Sequence, residues 1–76
     1  MRKTTFLETA NEYIKNTDFD KEFKLNDILG ENCPAYPGVW LADAVKDKSL
    51  NSSTYIVEFV GRDYSDTYVK RKIYNQ

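Results

Sequence analysis

Tyr55-Ile-Val-Glu-Phe-Val60, Gly61-Arg-Asp-Tyr-Ser-Asp66 and Thr67-Tyr-Val-Lys-Arg-Lys-Ile-Tyr74 follow one another without a break, and their reading decides the fold. The outer runs are rich in β-branched and aromatic residues that alternate with period two, and the middle run is made of turn-forming types. Together they predict a β-hairpin. On its first strand Tyr55, Val57 and Phe59 share one face, and Ile56, Glu58, Val60 and Arg62 share the other. On its second, Val69, Arg71 and Ile73 lie together, and Tyr68, Lys70, Lys72 and Tyr74 line the opposite side. The adjacent cations Lys70, Arg71 and Lys72 have no acid beside them.

Upstream of the connector Asn51-Ser-Ser53 the periodicity becomes helical. Pro37 suits a first helical position, where its missing N–H would be unpaired anyway, so a helix is expected from Pro37 to about Asp47. Leu41, Ala44 and Val45 share its inner side with the stem of Lys48, flanked by Trp40. Val39, Asp43 and Lys46 point outward. Leu25-Asn-Asp-Ile-Leu29 reads as a brief helix stopped by Gly30, and Phe19-Asp-Lys-Glu-Phe23 as a short extended segment. Thr5-Phe-Leu-Glu8 has the spacing of a capping box, which predicts that the first helix starts there. Phe6, Leu7, Ala10, Tyr13 and Ile14 then form one apolar stripe, and Asn16-Thr-Asp18 ends it.

At 76 residues the chain has room for one domain, residues 1–76, and a small core. The expected core is Phe6, Leu7, Ile14, Phe23, Leu25, Ile28, Leu29, Trp40, Leu41, Val45, Leu50, Val57 and Phe59. Charged residues at 30% and hydrophobic ones at 41% argue for a folded soluble protein and against a disordered tail. No run approaches a membrane span, and the first residues lack an apolar signal core, so a cytoplasmic location is expected. Cys33 is the single cysteine, which excludes an internal disulfide; Glu31 beside it and the absence of a nearby base give no cause for a reactive thiolate.

The order helix, short strand, helix, turn, helix, strand, loop, strand resembles the winged helix-turn-helix family. Phe23-Lys-Leu-Asn-Asp-Ile-Leu29 looks like the entry into its second helix, Pro37 to Asp47 like its recognition helix, and Tyr55 to Tyr74 like its wing. The chain is also similar to small uncharacterised proteins of Gram-positive bacteria and their phages, through Phe-x-Leu-x-Asp-Ile at 23–28 and Val-Gly-Arg-Asp at 60–63. The fold expected is α+β: three helices, a short strand before the second of them, and a C-terminal hairpin.

Absence of histidine removes the commonest general base and metal ligand, and one cysteine excludes a thiolate cluster. Asp18 with Asp20, Asp43 with Asp47 and Asp63 with Asp66 are the carboxylate pairs left for catalysis. Lys46 and Lys48 lie among the second pair, as on any solvated helix face, and the three glycines are too far apart for a phosphate loop. No enzyme activity, metal or cofactor is expected.

The winged-helix resemblance implies double-stranded DNA as partner, with the third helix in the major groove and the wing on the adjacent backbone. Val39 and Lys46 would then face the bases, Arg62, Lys70, Arg71 and Lys72 the phosphates, and Tyr64 or Tyr68 would donate a hydroxyl or stack. Against this stand a net charge of −1 and the acids Asp43 and Asp47 on the outer face of that helix. The alternative is a regulatory adaptor that binds a protein or a second copy of itself. Six tyrosines and a tryptophan are more than a small core encloses, and Tyr36, Trp40, Tyr68 and Tyr74 are its candidate contacts.

Overall fold

A computed structural model describes residues 1–30, 34 and 36–73 of the chain, and Cys33 and Tyr74 lie outside them. Among the described residues three helices and a three-stranded antiparallel sheet form an α+β fold, as the sequence predicts. In chain order they are α1 (Lys3–Lys15), β1 (Glu22–Phe23), α2 (Leu25–Leu29), α3 (Pro37–Lys46), β2 (Tyr55–Asp63) and β3 (Ser65–Lys72).

The capping box expected at Thr5 is not used. Helix α1 begins three residues earlier, with Arg2 as its N-cap in place of Thr5, and the Phe6 N–H already donates to the Arg2 carbonyl at 3.0 Å. Thr5 is interior, its carbonyl accepting from the Thr9 hydroxyl at 3.0 Å. Nothing before Thr5 breaks a helix, so propagation by one more hydrogen bond per residue outweighs the local cap. Phe6, Ala10 and Ile14 form the buried stripe.

Helix α2 is held at its start by the Asp27 carboxylate, which accepts from the Lys24 N–H at 2.8 Å, and it ends at Gly30, whose φ of 93° only glycine adopts readily. Helix α3 closes with paired bonds typical of a left-handed stop: the Lys48 N–H donates to the Val45 carbonyl at 3.2 Å and the Ser49 N–H to Ala44 at 3.0 Å. Lys48, with φ of 62°, occupies the position that glycine usually takes.

The sheet order is β1–β3–β2, so the basic strand β3 is central rather than at an edge. Glu22 and Phe23 pair with Val69 and Tyr68, and Phe59 lies on the other side of Tyr68. The expected loop over 61–66 is mostly strand. Val60 bulges out between Phe59 and Gly61, after which the ladder resumes as Gly61↔Thr67, Arg62↔Asp66 and Asp63↔Ser65, leaving Tyr64 alone at the tip with φ of 66°. Opposite charges at Arg62 and Asp66 favour that continuation.

Phe6, Ala10, Ile14, Phe23, Leu41, Ala44, Leu50, Val57 and Tyr68 make one core cluster. Rings link its layers, with centroid distances of 5.6 Å for Tyr13–Phe23, 6.1 Å for Phe23–Tyr68 and 5.8 Å for Phe59–Tyr68. Phe59, expected inside, is 56% exposed, although Val57 on the same strand is buried. Tyr68 and Val69, on the enclosed central strand, are buried in its stead.

Candidate functional site

The strand expected to carry phosphate contacts is largely turned into the protein. Lys70 is 5% exposed; its Nζ donates to the carbonyls of Thr17 at 2.9 Å and Lys15 at 3.2 Å, the open end of α1. Its ammonium also lies 4.5 Å from the ring centroid of Tyr55 and 4.8 Å from that of Phe19. Carbonyls at a helix C-terminus carry partial negative charge, and aromatic faces attract cations, so this site suits a lysine buried without a carboxylate. Lys70 is therefore a cap on α1, not an outward phosphate ligand. Tyr68, 2% exposed, is likewise a core residue and is placed neither to stack on a base nor to form an interface. Burial, and secondarily the charge of Asp66, push its hydroxyl up to about 12.

Arg71 is exposed but engaged. It donates to Asp20 Oδ1 at 2.7 Å and lies 3.5 Å from Glu58 Oε2, two acids that offset its charge. The hydrogen bond to Asp20 comes first among the causes that raise its pKa. Lys72 is exposed, at the opposite end of the ladder from the tip, where it pairs with Tyr55.

Arg62 and Tyr64 are the expected residues that stand at the hairpin tip, and Tyr64 is 98% exposed. Lys24 Nζ donates to the Asp63 carbonyl at 2.6 Å and so ties the tip to the start of α2. A groove of about 530 Å³ separates the tip from α3. Val39, Ala42 and Asp43 line it from α3, Leu25 from α2, and Arg62, Tyr64, Asp66 and Tyr68 from the hairpin. Val39 is 63% exposed, while Lys46, exposed on the same helix, is not part of the lining. The structure thus brings Val39, Arg62 and Tyr64 together and sets Lys46, Lys70, Arg71 and Lys72 apart.

Leu25, Ala42, Asp43 and Asp66 were not expected to share a site. Asp43 four residues after Val39 signals a common helix face, but that this face looks onto the hairpin tip depends on the tertiary fold. The remaining expected contacts lie beyond the groove. Tyr36, half exposed, stands edge-on to the half-buried Trp40 with centroids 5.2 Å apart, and Trp40 in turn packs against Phe6 at 5.9 Å. Trp40 is therefore chiefly a packing residue.

The described residues contain no group of three or more side chains suited to hold a metal ion, and no helix long and apolar enough to cross a membrane. No protein-family model matches the chain, and no curated protein and no solved structure shows significant similarity to it.

Proposed function

We propose that the chain is a winged-helix module that binds another protein through α3 and the tip of its wing. The element order supports the winged-helix reading, as does the way the short strand β1 joins the hairpin as a third strand. The choice of a protein partner is carried by one observation: two of the four cations that would have gripped phosphates, Lys70 and Arg71, are already engaged within the chain. Lys70 is buried at the end of α1 and Arg71 is held by two acids, whereas the surface left beside α3 joins Val39 and Tyr64 to Asp43 and Asp66. Carboxylates facing a phosphate backbone cost affinity, but apolar surface with an aromatic rim suits a protein interface.

A titration of the isotope-labelled chain with short random duplex DNA tests this. At about 50 mM salt the expected outcome is no saturable shift at Val39, Lys46, Arg62 or Tyr64. Saturable shifts there that weaken steeply towards about 200 mM salt would assign the surface to DNA instead. That second reading is favoured by Arg62 and Tyr64, which occupy the tip where the wing of such a fold meets the backbone.

A further inference from the structure

Among the described residues the groove between α3 and the hairpin tip is the place where apolar lining, exposed aromatic surface and uncommitted charge coincide. Its apolar side is made by Leu25, Val39 and Ala42. Its charge is uneven. Arg62 faces its own ladder partner Asp66, and Asp43 on the other wall makes neither an ion pair nor a side-chain hydrogen bond with any described residue.

The space of about 530 Å³ has room for one large side chain and its neighbours. We infer that the groove receives a segment of a protein partner in which one large apolar side chain is flanked by lysine or arginine. The apolar side chain seats between Val39 and Tyr64, and a flanking cation meets Asp43, whereas Asp66 already has Arg62 across the ladder. The inference rests on the protein-binding reading and adds the chemistry of the partner.

Three fluorescein-labelled peptides serve as probes: a central Phe flanked by Lys, the same Phe flanked by Glu, and Ala flanked by Lys. Anisotropy should show saturable binding of the first, with about threefold weaker binding of the second from loss and reversal of one surface pair. The third should be weaker by about tenfold or more. Asp43→Lys should cut the preference for Lys over Glu flanks about threefold or more, and Tyr64→Ala should weaken the first peptide without unfolding, since that ring is almost wholly exposed. Equal affinity for Lys and Glu flanks, with shifts still at Val39 and Tyr64, would overturn the basic segment and leave the protein-binding reading standing. Saturable shifts with duplex DNA and none with any peptide would overturn both. Shifts at the same residues that grow with protein concentration alone would assign the groove to a second copy of the chain, and no saturation by any peptide at about 1 mM would end the proposal.

Discussion

Lys70 shows how far a residue's role depends on what lies across the fold. Alternation along β3 puts Tyr68, Lys70 and Lys72 on one face, but it does not say that both faces are covered from Thr67 to Lys70. A lysine ordinarily marks the wet side. Here the cover is the end of α1, 53 and 55 residues away, which supplies carbonyl acceptors that no local pattern announces. Replacing Lys70 by Ala removes both hydrogen bonds and the packing between Phe19 and Tyr55, so stability should fall by about 2–4 kcal/mol in urea denaturation. Lys70→Met keeps the stem and should cost about half as much. If both variants matched the parent in denaturation midpoint, the ammonium would have no part in holding α1. Val39 and Tyr64 were legible as surface residues, by contrast, because an outward helix position and a turn position are local properties.

At the scale of elements, α2, α3 and the hairpin were legible because each is marked by its own residues: Gly30 after α2, Pro37 at the start of α3, and alternation from Tyr55 onward. The start of α1 and the length of the hairpin ladder were not, since a capping box and turn-forming types permit a break without requiring one. The central place of β3 was also hidden, for β1 contributes only Glu22 and Phe23 to the pairing. That leaves β2 as a nine-residue edge strand, a shape prone to pair with other chains. The connector guards one half of it. Asn51 Oδ1 accepts the Val57 N–H at 2.9 Å, and Ser52 exchanges hydrogen bonds with Tyr55, its N–H donating to the Tyr55 carbonyl at 3.0 Å. Asn51→Ala should lower stability by about 1 kcal/mol and raise the rate of thioflavin-positive aggregation at moderate temperature; unchanged aggregation would show that the edge needs no such cover.

For the whole molecule, charge is nearly balanced, with 11 Lys and Arg against 12 Asp and Glu, and histidine is absent. Apart from Cys33, outside the described residues, and the amine of Met1, no group has an ordinary pKa between pH 6 and 9, so stability should change little there. The alkaline limb belongs to Tyr68. Its folded pKa of about 12 lies above the ordinary value of 10.0, so the folded state holds the proton more tightly. The contribution is complete below about pH 10 and is lost as pH rises towards 12, by roughly 2–3 kcal/mol. Unfolding midpoints measured across that range should drop for the parent and drop less for Tyr68→Phe; parallel curves would remove Tyr68 as the cause. The long reach of Lys70 has a last consequence, for synthesis. A ribosome adds about 5–20 residues per second, so the 55 residues between Lys15 and its cap take roughly 3–10 s to make. During that interval the first helix emerges with its end unclosed, and the fold is completed only after the sixth element has left the ribosome, which makes folding of this chain a late event in its own translation.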